Sequence, residues 1–203
     1  LHKQYYAAGL GKAFADSGQR RYVERWIELT RSWIEQTPIG FIAADVTGRR
    51  VQNWIYAYWY FVLGDADTGL ATDFHESFLV SLEAQVDHLC THLTPKRNHR
   101  TLELYAIFLA GVAFPELQSA EHWRQFGLSE FARNISADLL PDGVHCELST
   151  DYHHLVLRNA LCVRRLAAMN GVPVPPGLDA DLQRALEFSM HAHKPDGVVP
   201  SFS

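Results

Sequence analysis

Apolar residues recur at helical spacing along nearly the whole chain, so that they fall on one face of successive α-helices. The pattern predicts a first helix over residues 4–15, ending near Gly18, and a second over 20–36. Val23, Trp26, Ile27, Leu29, Trp33 and Ile34 form the broad apolar stripe of the second, and Pro38 and Gly40 end it. After a loop over 39–48, "RRVQNWIYAYWYFVLG" predicts a third helix, aromatic on all sides and therefore buried. A fourth covers 73–92, with Phe74, Phe78, Leu82, Val86 and Leu89 in register, and Pro95 follows it. The fifth, "KRNHRTLELYAIFLAG", opens on four polar residues and continues as the most apolar segment of the chain. A sixth spans 119–140, with Ser119 as its expected cap and Glu121 in its first turn. The Pro141-Asp142-Gly143 turn leads to a seventh over 151–169, ended by Asn170-Gly171. A Pro-rich link precedes an eighth over 178–193.

Helices with short connections imply antiparallel neighbours. The third and fifth are apolar nearly all round, whereas the second and fourth keep a charged face. That alternation predicts two layers, inner and outer. The fold class expected is therefore all-α, as helical hairpins in an incomplete (α/α) toroid, with a simple bundle as the competing arrangement. Residues 1–203 are expected to form one domain. The final "DGVVPSFS" has no polar finish, which suggests a piece of a longer chain.

Composition narrows the functions open to such a fold. With 47% hydrophobic and 20% charged residues, the chain can bury a real core. Its net charge of −5 offers no basic surface for nucleic acid. No apolar run is long enough to span a membrane, and the first residues do not read as a signal peptide. Three dispersed cysteines, Cys90, Cys146 and Cys162, form no disulfide or CxxC pattern. No HExxH, P-loop, dinucleotide-binding or nucleophile-elbow motif occurs, so neither a metal nor a cofactor is expected. Eleven histidines and five tryptophans give a weak compositional hint of a sugar-binding groove.

Polar residues beside apolar helices are the candidates for chemistry. Asn98 can cap the fifth helix, or Asn98 and His99 can hold a carboxylate at the positive end of that helix. In "PDGVHCELSTDYHHL", Ser149, Thr150 or Asp151 can cap the seventh helix. Tyr152 falls on the stripe of Val156, Asn159, Val163 and Leu166, which points its phenol inward. Adjacent His153 and His154 face different sides and make a poor metal pair. Arg49 and Arg50 either meet anionic groups or face solvent at a helix start, with Asn53 among aromatics. Glu103, Glu147 and Asp151 could alternatively supply the carboxylate pair of a glycoside hydrolase.

Taken in order, "RRVQNW", "NHRTLELYAIFLAGVAFPE", "HWRQFGLSEF", "DGVHCELSTDYHHL" and "PDGVVPSFS" resemble the heparinase II/III-like polysaccharide lyases. The resemblance covers Arg49 to Ser203, with the preceding residues expected to be further toroid helices. It implies an incomplete (α/α) toroid followed, in the family, by an antiparallel β-sandwich domain that these residues lack. It also implies β-elimination in a uronate-containing acidic polysaccharide such as heparan sulfate or alginate. Asn98 matches the amide that binds the uronate carboxylate, His99 the histidine beside it, and Tyr152 the tyrosine that moves the proton. Arg49, Arg50, Asn53 and Arg97 would contact the polymer, and Glu103 and Glu147 would orient His99 or Arg97. A further His or Tyr comes from the β domain in the family. A periplasmic or secreted location is the corresponding expectation.

Overall fold

The computed structural model describes residues 2–63 and 70–201. Among these residues there are eight α-helices: α1 Tyr6–Ser17, α2 Arg21–Gln36, α3 Ala44–Val62, α4 Thr72–Thr91, α5 Arg97–Ala113, α6 Ala120–Asp138, α7 Thr150–Met169 and α8 Leu178–Ala192. The extended backbone among them is a single bridge pairing Leu139 with His145.

Each helix packs on its sequence neighbour or on the helix two places away. The odd-numbered helices follow one another, α1 on α3, α3 on α5 and α5 on α7. The even-numbered ones form a second row, α2 on α4, α4 on α6 and α6 on α8. This is the double layer of a helical toroid, as the alternating character of the helices predicts. The inner row explains why α5 is so apolar. It is flanked by α3 and α7 and backed by α6, and every residue from Thr101 to Gly111 is buried. At Gly127 the α5 and α6 backbones nearly touch, for a Cβ there would lie 2.8 Å from the Phe108 nitrogen.

Two kinds of core lie between the two rows. Between α1 and α4 it is aromatic: Trp26 packs on Phe61, Phe74 and Phe78, and Trp54 on Trp33 and Phe78. From α6 to α8 it is largely aliphatic, with Ile135, Val156, Leu157, Val163 and Leu182 buried. Truncating a fully buried Trp54 or Phe108 to Ala would cost about 3–5 kcal/mol.

The structure corrects the sequence reading at three helix starts. α3 begins at Ala44, so the segment read as loop contributes another turn. Arg49 and Arg50 therefore stand inside the helix. Ser119 precedes α6 with helical dihedrals and no side-chain cap bond. Asn98 does not cap α5, which begins one residue earlier, after Lys96. Ser149 does cap α7, accepting the Tyr152 N–H at 3.3 Å.

Candidate functional site

The polar groups concentrate where the N-terminal ends of α3, α5 and α7 come together. α5 starts with a strained residue, Arg97, at φ +74. Its backbone N–H donates to Asp138 Oδ2 at 2.8 Å, at the C-terminal end of α6. Asp138 also accepts Asn134 Nδ2 at 3.1 Å, and Asn134 Nδ2 donates in turn to Thr101 Oγ1 at 2.9 Å. A buried carboxylate thus sits at the positive end of α5, as the helix dipole favours.

The loop between α6 and α7 folds back on this end of the molecule. Its turn needs Gly143 at φ +86, where a Cβ would come within 2.2 Å of the Arg184 carbonyl oxygen. The chain then returns antiparallel, with the Leu140 N–H donating to Val144 O and the Cys146 N–H to Asp138 O, each at 2.8 Å. This return lays His145 and Glu147 against α5. Asn98 Nδ2 donates to Glu147 Oε2 at 2.6 Å, while His145 Nδ1 lies 3.6 Å from the same oxygen. Asn98, 6% exposed, is thereby fixed against the loop that enters α7. Glu147 is the one acceptor this amide nitrogen meets among the described residues, which leaves its second hydrogen for another group.

His99 faces the other neighbour. Its ring is half exposed, with Nδ1 3.7 Å from Asp45 Oδ2 in the first turn of α3. Asp45 also meets Lys3 at 3.4 Å. Tyr152 stands in the first turn of α7 and is 46% exposed. Its stripe does lead to the buried Val156, Asn159 and Val163, and Tyr152 extends that stripe to an exposed position in the first turn of α7. The buried neighbour is His153, whose Nε2 lies 3.1 Å from Ala185 O and whose ring packs on Phe188. His154 contacts Thr150 O and Ser189 Oγ, each at 2.7 Å, so both histidines serve the α7–α8 contact.

Three residues expected at the site are framework residues instead. Arg50 is 2% exposed; its Nε donates to Gln85 Oε1 at 2.7 Å, its Nη1 to His2 O, its Nη2 to Thr47, and its guanidinium lies 3.8 Å from the Trp33 ring centre. Burial pushes its pKa down to about 9, which leaves it charged at neutral pH. Asn53 donates to Lys3 O at 2.8 Å and ties the N-terminal segment to α3. Glu103 is fully enclosed and accepts both the Thr94 N–H at 2.8 Å and the Thr94 hydroxyl at 2.6 Å. It makes no hydrogen bond to His99 or Arg97 among the described residues, and burial raises its pKa despite the bonds from Thr94.

The other two expected contacts remain near the surface. Arg49 donates to Gln52 Oε1 at 3.0 Å, and Gln52 passes the contact to Leu102 O at 2.9 Å. Arg97 lines a cavity of about 490 Å³ with Lys96, Arg100, Arg133, Asp138 and Cys146. Arg100 and Arg133 both pair with Glu130.

Sequence reading missed His145, Asp138 and Asn134, the groups that hold Glu147 and the start of α5. The available signal was the Pro-Asp-Gly turn, which folds residues 144–147 back beside 138–140. His145 is 1% exposed, and burial lowers its pKa although Asp138 and Glu147 act to raise it. No described helix is long and apolar enough to cross a membrane.

Comparison with known proteins gives this arrangement a context. Residues 1–203 match the family described as Heparinase II/III N-terminus. A heparin-sulfate lyase of Pedobacter heparinus is 30% identical over 161 residues, covering 75% of this chain and 24% of that protein. One of Bacteroides thetaiotaomicron is 25% identical over 222 residues, covering all of this chain and 31% of that protein. The crystal structure of heparinase III superposes with a TM-score of 0.89 at 24% identity, over 97% of this chain and 31% of that one. That of a heparan sulfate lyase from Pedobacter heparinus gives 0.81 at 25% identity, over 98% and 32%. The chain thus spans a quarter to a third of the length of these relatives.

Proposed function

The chain belongs to the Heparinase II/III N-terminus family, and from that premise we propose that the protein is a polysaccharide lyase acting by β-elimination on a uronate-containing polymer. Heparan sulfate is the first substrate to test, since the relatives are named heparin-sulfate lyases. The observation that carries the reading is the 2.6 Å hydrogen bond from Asn98 to Glu147. It joins the start of α5 to the loop entering α7, and so brings the two halves of the resemblance together.

The chemistry follows from the weak acidity of the uronate C5 proton. Its removal moves charge onto the adjacent carboxylate, so donors aimed at that carboxylate stabilise the transition state more than the ground state. The free amide hydrogen of Asn98 binds the carboxylate, and Glu147 fixes the amide plane. His99 shares the developing charge from the solvent side. Tyr152 moves the proton: a base takes it from C5, the electron pair forms the C4–C5 double bond, and the C4–O bond breaks. The leaving oxygen then takes up a proton. The exposure of Tyr152 agrees with a group that must reach a polymer. Arg49 and Arg97 are the cations near this end that could meet further acidic groups. Their counterpart in the alternative reading, a hydrolase carboxylate pair, is weakened because Glu103 is enclosed and spent on Thr94. A β-sandwich domain outside these residues would supply the remaining acid or base.

Product chemistry tests the proposal. The full-length protein incubated with heparan sulfate should release oligosaccharides whose unsaturated uronate absorbs in the near ultraviolet. Saturated ends would establish hydrolysis and end the lyase reading.

A further inference from the structure

We propose that Asp138, His145 and Cys146 form a site for a thiophilic divalent metal of the Zn²⁺ class, behind the α5 N-terminus. One donor atom from each lies within 4.8 Å of the others. No sequence spacing advertises this site. It is made by the turn at Gly143, which returns Cys146 to bond its N–H to Asp138 O at 2.8 Å.

The buried imidazole is the observation that asks for a ligand. His145 is 1% exposed, and its Nε2 meets no hydrogen-bond partner among the described residues. That nitrogen lies 4.0 Å from Asp138 Oδ2, too far for a hydrogen bond, and a bound metal would draw the two to the roughly 3.3 Å between tetrahedral ligands. A polar atom left unpaired in the interior costs about 1–3 kcal/mol, so a buried ring is poorly explained as filler. The other ring nitrogen, Nδ1, accepts the Glu147 N–H at 3.4 Å and lies 3.6 Å from Glu147 Oε2. Binding a metal through Nε2 therefore requires the tautomer with its proton on Nδ1, turned to the Glu147 carboxylate. Asp138 is held in place through Oδ2, which accepts the Arg97 N–H at 2.8 Å and Asn134 Nδ2 at 3.1 Å.

Charge and access agree with this assignment. Thiolate, imidazole and carboxylate are a tetrahedral zinc donor set with one position left for water. Cys146 is partly exposed and, with Asp138, lines the cavity of about 490 Å³, through which an ion can enter. Arg97 is the cation that acts on His145, and the carboxylates of Asp138 and Glu147 oppose it. On binding, the Cys146 thiol gives its proton to solvent and a sulfur–metal bond forms; nothing is oxidised or reduced. The metal would also stand behind Glu147, and therefore behind Asn98. The site does not depend on the lyase reading, because its test is spectroscopic.

The full-length protein, stripped with a chelator, is titrated with Co²⁺. The expected result is a thiolate-to-cobalt absorption band in the near ultraviolet, saturating at one equivalent and displaced by Zn²⁺. Cys146→Ser should abolish the band, and Glu147→Gln should weaken Co²⁺ binding about tenfold or more. Absence of the band, or its survival in Cys146→Ser, overturns the proposal. If Cys146→Ser does not fold, alkylation of wild-type Cys146 followed by peptide mass mapping decides. Zn²⁺ should slow labelling by about tenfold or more, and an unchanged rate overturns the site.

Discussion

The stretch from Arg49 to Asn53 inside α3 and the start of α5 look alike in sequence and differ in the folded protein. Each places arginine, amide and apolar residues together: Arg49, Arg50 and Asn53 in one, Arg97, Asn98 and Arg100 in the other. In α3 the internal polar atoms find partners within the framework. Arg50 is held by Gln85, Thr47 and His2 O, and Asn53 by Lys3 O. In α5 the partner of Asn98, Glu147, belongs to a loop that returns from α6, although each amide nitrogen, of Asn53 and of Asn98, donates to one acceptor among the described residues. Burial alone does not separate the two regions, since Asn53 and Asn98 are 7% and 6% exposed. What separates them is whether the partner belongs to the permanent packing of helices or to the wall of the candidate site.

Substitutions that respond oppositely in the two regions test this contrast. Tyr152→Phe should lower lyase turnover about 10³-fold while changing stability by less than about 0.5 kcal/mol, because the phenol is exposed. Unsaturated-product assays and denaturant melts on the same samples check both halves. Asn98→Ala should cost about 10²–10³-fold in turnover, the loss typical of a donor to a developing negative charge. Arg50→Met should show the reverse pattern. It strands Gln85, Thr47 and the His2 carbonyl, so unfolding free energy falls by about 2–4 kcal/mol while turnover per folded molecule persists.

The smallest effect expected is on acid stability. His145 and His153 both have pKa values lowered by burial from 6.5. The unfolded chain therefore binds their protons first as pH falls through 6.5, and stability declines until the folded-state values are reached. His153→Gln should remove up to about 1.4 kcal/mol per pH unit of that slope, measured by melts between neutral and mildly acidic pH.

Much of the architecture was legible because burial imposes a period. α2, α4 and α8 begin and end within a residue or so of the sequence expectation, and the apolar wrap of α3 and α5 marks the inner layer. The start of α3 was hidden because "ADVTG" combines a β-branched pair with glycine, and tertiary packing overrides that weak local preference. At the site, Asn98, His99 and Tyr152 were legible as residue types in order. The burial of Arg50 and Glu103 was not, since it depends on Gln85 and Thr94, which no periodicity singles out. The exposure of Tyr152 was not legible for a related reason. Helical phase gives the direction of a side chain but not whether the core extends as far as that turn.

The most direct test is a crystal structure of full-length Tyr152→Phe with a heparan sulfate tetrasaccharide. One uronate carboxylate is expected within about 3.2 Å of Asn98 Nδ2, with its C5 hydrogen turned toward position 152. A saccharide bound in the cavity of Lys96, Arg97 and Arg133, with Asn98 still committed to Glu147 alone, would contradict the account.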